Sequence, residues 1–300
     1  MRIWACILFF AAALGCSHRV LPAAAPDAPA AEPAVVAPAD TVMVPDTSAR
    51  MKEVYAALDA KLDEYVASMN FIPVEDKYQE CDFLIGSVSD SLIRNHIAAH
   101  LFEKFQSSNV MGDEAVAIYL VDNWFVPGRV AFKDYSSLAA ARVFADFNRQ
   151  SLIGMKAPSL EAFTPAGGPA VQALADGRLK VLFIYDTSCA TCKFESALLE
   201  EYFSEYKGVA FDFIAFYAGS DAAAWQQWRS THFAGLYKED SPITIKDFWD
   251  PEVESDFQRK YGVLSTPRMF LIDEDGTIIG RRLDPPALRQ LLEIINAGAE

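Results

Sequence analysis

Residues 180–192 read Lys-Val-Leu-Phe-Ile-Tyr-Asp-Thr-Ser-Cys-Ala-Thr-Cys, and this stretch decides the fold. Residues 180–185 form an apolar run, which is typical of a strand buried on both faces of a parallel sheet. Cys189 and Cys192 follow at the start of a helix that the sequence predicts over residues 191–207. The stretch therefore predicts a buried strand, a short turn, and a helix that begins at a Cys-x-x-Cys motif.

Strands and helices alternate through the rest of the C-terminal half. Residues 211–218 form a second buried run, and residues 268–273 and 277–281 flank Glu-Asp-Gly at 274–276, a hairpin signal. Further helices are predicted at residues 222–230, 252–261 and 286–296. Alternating strands and helices that end in a hairpin and a last helix predict an α/β layered domain over residues 151–300.

The position of the cysteine pair matters more than its spacing. The N-terminus of a helix presents unpaired backbone N–H groups and the positive end of the helix dipole, which stabilise a thiolate. The thiolate is the nucleophilic form of cysteine. Two intervening residues place the sulfurs of Cys189 and Cys192 on one helical turn, near enough to form a disulfide without backbone movement. The motif therefore predicts a redox-active pair.

A second motif, Ser265-Thr266-Pro267, immediately precedes the predicted strand 268–273. This motif, the cysteine pair, Gly-Met-Lys-Ala-Pro at 154–158 and Phe-Leu-Ile-Asp-Glu-Asp-Gly at 270–276 together resemble the thioredoxin superfamily, and within it the exported TlpA/ResA-like branch. The resemblance covers about residues 151–300. It implies a thioredoxin-like fold and thiol–disulfide oxidoreductase activity.

The same resemblance implies a role for each motif residue. Cys189 matches the attacking cysteine and Cys192 the resolving cysteine, with a redox-active disulfide between them and no other cofactor. Pro267 matches the cis-proline beside that disulfide, and Thr266 offers backbone groups to the substrate chain. Thioredoxin itself has a tryptophan before the first cysteine, Gly-Pro between the two cysteines and a buried acid on the preceding strand. Here these positions hold Ser188, Ala-Thr at 190–191 and apolar Phe183. The reduction potential therefore stays open across the family range of about −270 to −120 mV. The nearest carboxylate, at position 186, is expected to cap the turn.

The first sixteen residues predict export and lipidation. One positive charge is followed by an apolar segment, residues 3–14, which is too short to span a bilayer and is typical of a signal peptide over residues 1–15. Ala-Leu-Gly-Cys at 13–16 resembles the lipobox of bacterial lipoproteins, which implies cleavage before Cys16 and acylation of that cysteine. Ser17 in the next position favours the outer over the inner membrane. An ordinary signal peptide with an incidental Cys16 is the alternative.

Two segments lie between the signal and the α/β domain. Residues 16–48 are an Ala/Pro-rich linker that favours extended polyproline II and is expected to be disordered. Residues 49–150 show helical spacing of apolar residues and predict a mostly α-helical domain. That domain resembles an uncharacterised helical domain of exported bacterial lipoproteins. The motifs that carry this resemblance are Val-Met-Gly-Asp at 110–113, Trp-Phe at 124–125 and the run 144–150. The resemblance implies no known activity.

Metal binding is the less favoured interpretation of the remaining motifs. His96 and His100 lie four residues apart on one predicted helix, but zinc needs further ligands and none lies nearby in sequence. The Cys-x-x-Cys motif is not followed by a second pair, so a structural zinc site is a minority alternative. Cys81 is expected to be an unpaired thiol.

Composition limits the class of partner. The chain has 26 Lys and Arg against 41 Asp and Glu, a net charge of −15, which argues against nucleic-acid binding. Five cysteines are too few for a disulfide-stapled scaffold. The acidity supports solubility and identifies no ligand.

The sequence therefore predicts a lipid-anchored thiol–disulfide oxidoreductase in the bacterial cell envelope, facing the periplasm. It is expected to reduce or isomerise disulfides of exported proteins, with an unidentified membrane or periplasmic electron donor. A lipid-tethered protein-binding module with an idle thioredoxin scaffold is the alternative, since a fold does not fix a function. A peroxidase of the same fold would need a different cysteine motif.

Overall fold

The chain from residue 47 onward folds into a helical layer and a mixed sheet flanked by helices. The computed structural model describes residues 47–172, 174–236 and 240–299. Residues 47–300 form one compact unit. The predicted signal peptide, Cys16 and nearly all of the predicted linker lie outside the described residues. Within those residues, no helix combines the length and apolar character needed to cross a bilayer.

The first part is helical, as the spacing of apolar residues predicts. Its helices are α1 (Thr47–Ser68), α2 (Val74–Gly86), α3 (Ser91–Ser107), α4 (Asp113–Leu120) and α5 (Tyr135–Asn148). A π-helical turn, Val121–Phe125, continues α4 directly. The helices enclose their own apolar core, to which Leu62, Leu101 and Val116 belong.

The second part is a seven-stranded sheet. The strands are β1 (Leu160–Phe163), β2 (Pro169–Gln172), β3 (Leu179–Tyr185), β4 (Phe211–Tyr217), β5 (Ile243–Trp249), β6 (Arg268–Ile272) and β7 (Ile278–Arg281). Their order across the sheet is β2-β1-β5-β4-β3-β6-β7. β3, β4 and β5 run parallel, whereas β6 pairs antiparallel with β3, and the β6–β7 hairpin is the one that the sequence predicts.

Helices cover both faces of this sheet. Alternate residues of β3, such as Val181 and Phe183, point to the face packed by α6 (Ala190–Glu205), α7 (Ala222–Thr231) and α9 (Pro285–Ala299). Leu182 and Ile184 point to the opposite face, where the short helix α8 (Phe257–Tyr261) packs. Burial on both faces explains why the β3 sequence is apolar without alternation.

Three strands are absent from the sequence prediction. β1 and β2 form a short antiparallel hairpin beside β5. β5 lacks the apolar pattern of a buried strand because it contains two adjacent charged residues, Lys246 and Asp247. The ammonium of Lys246 lies 2.6 Å from the buried carboxylate of Asp212, which also pairs with Arg178 at 2.7 Å. A buried carboxylate with two cationic partners is compensated, so the charged sequence is compatible with a central strand.

The predicted helix over residues 252–261 is shorter than expected. Only Phe257–Tyr261 is helical. The buried carboxylate of Asp250 accepts hydrogen bonds of 3.0 Å from the backbone N–H groups of Glu254 and Ser255. Val253 and Asp256 have φ values of 58° and 54°, in the left-handed region. The side chain of Asp250 therefore organises a turn in place of the first half of the helix.

Candidate active site

Cys189 occupies the N-cap position of α6, and three residues beginning at Asp186 separate it from the end of β3. Its backbone N–H donates a 3.2 Å hydrogen bond to the carbonyl of Asp186. Its sulfur accepts a 3.1 Å hydrogen bond from the backbone N–H of Cys192. A cap residue normally offers an oxygen to this N–H, and here the sulfur of Cys189 takes that place. The helix start thus holds the sulfur where a thiolate is stabilised.

Cys192 lies one helical turn further and is completely buried. Burial raises the pKa of the Cys192 thiol above its ordinary value. Cys189 is partly exposed, and both thiols are free. The two cysteines therefore differ in access: of the pair, Cys189 can meet a large substrate, whereas Cys192 is shielded from one.

Thr266 and Pro267 lie against the cysteine pair. The peptide bond between them is cis, as the thioredoxin resemblance implies. The thiol of Cys189 donates a 3.4 Å hydrogen bond to the carbonyl of Thr266, a residue 77 positions later in the chain. β6 begins directly after Pro267 and pairs with β3, so the sheet brings the two sequence motifs together.

Asp186 caps the turn before Cys189. One of its carboxylate oxygens accepts a 2.7 Å hydrogen bond from the backbone N–H of Ser188 and a second hydrogen bond from the Ser188 hydroxyl. This is the capping role expected from the sequence, and it holds the turn that positions Cys189.

Glu195 is a site residue that the sequence analysis missed. It lies on α6, three residues after Cys192, and its Oε2 atom is buried without a hydrogen-bond partner among the described residues. Burial, together with repulsion from Asp284, raises the pKa of Glu195 to about 7, and Arg268 opposes the shift. Its place on the helix is visible in the sequence, whereas its environment depends on residues about 70 to 90 positions later.

A cleft of about 740 Å³ opens beside the cysteine pair. One side consists of Thr191 and Glu195 of α6 and of residues 266–269. Residues 281–284, at and after the end of β7, form a second side, and the loop 108–111 between α3 and α4 forms the third. The helical part of the chain therefore contributes a wall to the candidate active site.

His96 and His100 form a hydrogen-bonded cluster with two aspartates, away from this cleft. His96 Nε2 lies 2.6 Å from Asp59, and His100 Nε2 lies 2.7 Å from Asp63, so the pairs connect α3 with α1. Burial raises the pKa of Cys81 to about 12, so this thiol is unreactive at neutral pH. Across the described ranges, no group of three or more His, Cys, Asp or Glu side chains is arranged to hold a metal.

Comparison with known proteins agrees with this geometry. The family model described as Redoxin matches residues 152–293. A thioredoxin-like protein from Bacteroides caccae has a TM-score of 0.59 at 12% sequence identity, covering 80% of this chain and 84% of that chain. That coverage is more than residues 152–293 alone could supply, so the shared fold extends into the helical part. No curated protein is significantly similar in sequence.

Two further solved structures each match about half of the chain. The thioredoxin domain of a thiol-disulfide oxidoreductase from Bacteroides vulgatus has a TM-score of 0.41 at 16% identity, covering 48% of this chain and 97% of that chain. A thiol-disulfide oxidoreductase from Bacteroides fragilis has a TM-score of 0.39 at 20% identity, covering 47% and 98%.

The fold and the family match define the class of protein as a thioredoxin-like oxidoreductase. More narrowly, residues 152–293 are similar to the redoxin family, whose model matches them.

Proposed function

We propose that the protein is a cell-envelope thiol–disulfide oxidoreductase that acts by dithiol–disulfide exchange through Cys189 and Cys192. The observation that carries the proposal is the asymmetry of the pair: Cys189 is accessible at a helix N-terminus beside the Thr266 carbonyl, and Cys192 is buried behind it. That arrangement suits attack by one cysteine and resolution by the other.

The exchange proceeds in two steps. The Cys189 thiolate attacks a client disulfide; a bond forms between Cys189 and one client sulfur, the client S–S bond breaks, and a client thiolate leaves. Cys192 then attacks the Cys189 sulfur, and the Cys192 proton passes to the client sulfur that leaves. This forms the Cys189–Cys192 disulfide and releases the second client thiol. Two electrons pass from the protein to the client, and a dithiol donor must return them.

The backbone supports the first step. The backbone N–H of Cys192 donates a 3.1 Å hydrogen bond to the Cys189 sulfur, and this hydrogen bond stabilises the attacking thiolate. Because burial raises the pKa of Cys192, this thiol keeps its proton while Cys189 attacks. Thr266 and Pro267 lie where the client chain would pass, and they form the proposed substrate-binding segment.

The proposed partners are exported proteins with thiols or disulfides and a membrane or periplasmic electron donor. The N-terminal sequence supports this location: residues 1–15 have the pattern of a signal peptide, and Cys16 follows it in a lipobox-like context. Lipidation at Cys16 would anchor the protein in the cell envelope, facing the periplasm. Ser17 in the next position favours the outer membrane over the inner membrane.

Within this class we favour reduction or isomerisation over oxidation. The redox potential separates these directions, and equilibration of the protein with glutathione buffers measures it. A potential near that of thioredoxin, about −270 mV, supports a reductase, whereas one near about −120 mV supports an oxidant.

Insulin reduction tests the proposed activity. The purified protein without its signal peptide should accelerate insulin reduction by dithiothreitol, and Cys189→Ser should abolish the acceleration. Cys81→Ser serves as a control, because Cys81 is buried in the helical core away from the site. If neither reductive nor oxidative assays show turnover that depends on Cys189, the enzyme proposal is wrong and the protein-binding alternative is favoured.

A further inference from the structure

The cleft beside the cysteine pair carries a cluster of arginines in an acidic protein. Arg268, Arg281 and Arg282 all line it, although the chain as a whole has a net charge of −15. Arg281 is neutralised by Glu114, with 2.7 Å between the guanidinium and the carboxylate. The other two arginines are the ones available to a ligand.

Arg268 and Arg282 have no carboxylate within ion-pair distance among the described residues. The guanidinium of Arg268 donates only to neutral oxygens, the carbonyl of Pro267 at 3.4 Å and the hydroxyl of Ser265 at 3.1 Å. Arg282 is exposed at the rim. Burial and repulsion from Arg282 lower the pKa of Arg268, and the nearby carboxyl of Glu195 opposes the shift without cancelling it.

The acidic groups of the cleft leave this excess in place near neutral pH. Asp284 is exposed to solvent, where its charge is screened. The carboxyl of Glu195, with its pKa raised to about 7, is about half protonated at pH 7 and increasingly protonated below it. An added carboxylate would therefore gain two cationic partners at this position.

The cleft also lies where a client chain must pass. Thr191, Thr266 and Pro267 line it, and the carbonyl of Thr266 is 3.4 Å from the Cys189 sulfur. The loop 108–111 lines the same cleft. A polypeptide bonded to Cys189 and extended along Thr266 therefore directs a neighbouring side chain between that loop and the two arginines.

We propose that this cleft binds an acidic side chain adjacent to the client cysteine, so that Arg268 and Arg282 select clients whose reactive cysteine has an Asp or Glu neighbour. The inference rests on the proposed dithiol–disulfide exchange at Cys189. The helical part takes part in selection by closing the cleft.

Peptide mixed disulfides test the selection. Three extended peptides, identical except for Glu, Gln or Lys beside a single cysteine, carry that cysteine as a disulfide with 2-thiopyridine, a neutral leaving group. Each turnover oxidises the reduced protein to its Cys189–Cys192 disulfide and releases one peptide thiol and one pyridine-2-thione, whose absorbance gives the rate. The Glu peptide should react about fivefold faster than the Lys peptide, as partly exposed ion pairs allow.

Matched variants assign the preference to the cleft. Arg282→Glu should abolish or reverse the ratio of Glu-peptide to Lys-peptide rates, and Arg268→Gln should reduce it. Arg142→Glu, a reversal at an exposed arginine of α5, should keep the wild-type ratio. Equal rates for all three peptides would overturn the selection while leaving the proposed exchange intact. The same conclusion would follow if Arg142→Glu and Arg282→Glu lowered the ratio of Glu-peptide to Lys-peptide rates equally. No reaction of reduced protein with any peptide overturns the exchange itself.

Discussion

The guanidinium of Arg281 donates a 2.7 Å hydrogen bond to the carboxylate of Glu114, and the two side chains are only 2% and 3% exposed. Arg281 ends the last strand of the sheet, and Glu114 lies in the first turn of α4, 167 positions earlier. A second guanidinium nitrogen donates to Asn148 at the end of α5, at 2.6 Å. This buried network fixes the helical part against the sheet and so holds the loop 108–111 beside the active site.

Breaking this pair should destabilise the fold. Glu114→Ala leaves the Arg281 charge buried without its anion, and we expect the free energy of unfolding to fall by about 3–5 kcal/mol. Urea denaturation measures the change. Glu293→Ala is the matched control, because it breaks the exposed pair with Arg289 at 2.9 Å and should leave stability nearly unchanged. A similar small loss for both variants would contradict the structural role of the buried pair.

Replacing the resolving cysteine should trap the client. In Cys192→Ser the mixed disulfide between Cys189 and the client persists, because the buried thiol that releases it is gone. Non-reducing electrophoresis followed by mass spectrometry should show a covalent adduct that dithiothreitol dissolves. The double variant Cys189→Ser/Cys192→Ser should form none. Adducts in the double variant would mean that another thiol reacts.

The raised pKa of Glu195 makes stability depend on pH. The folded protein keeps a proton on Glu195 up to about pH 7, whereas the unfolded chain releases it near the ordinary value of 4.5. The folded state therefore binds more protons between these values, and this residue's contribution to the free energy of unfolding falls as pH rises through that window.

Denaturation at a series of pH values measures this contribution. The free energy of unfolding of Glu195→Gln should decline less steeply than that of the wild type between about pH 4.5 and about pH 7. Glu201→Gln, an exposed position on the same helix, should follow the wild-type curve. Asp284→Asn should lower the pKa of Glu195 by removing a repulsion. Parallel curves for Glu195→Gln and the wild type would contradict the shift.

The proposed anchor depends on one atom, the sulfur of Cys16. In a bacterial host, the full-length protein should sediment with the membrane fraction, and Cys16→Ala should move it to the soluble or unprocessed fraction, because acyl chains supply the membrane affinity. Metabolic labelling with a fatty acid analogue should mark the wild type alone. Equal labelling and retention of Cys16→Ala would refute lipidation.

Local sequence patterns were sufficient for the elements next to the cysteine pair. The apolar run that became β3 and the helix that became α6 lie within one or two residues of their expected bounds. Both depend on near neighbours in the chain: apolar continuity for a strand buried on both faces, and a cap at the helix start. The same kind of signal failed at β5, because the partners that compensate Lys246 and Asp247 come from other segments.

The sequence by itself determined the α/β domain and the cysteine pair at a helix start, and the family resemblance pointed to the Thr266-Pro267 motif, whose cis bond the structure shows. Only the tertiary structure decided the rest. It placed Thr266 against Cys189, raised the pKa of Glu195 beside Asp284, and closed the arginine-lined cleft with residues 108–111 of the helical part. The physical reason is the distance along the chain over which each feature is determined. Strands and helix caps depend on neighbours in the chain. Burial and charge at the site depend on distant groups that the sheet and the Arg281–Glu114 pair bring together.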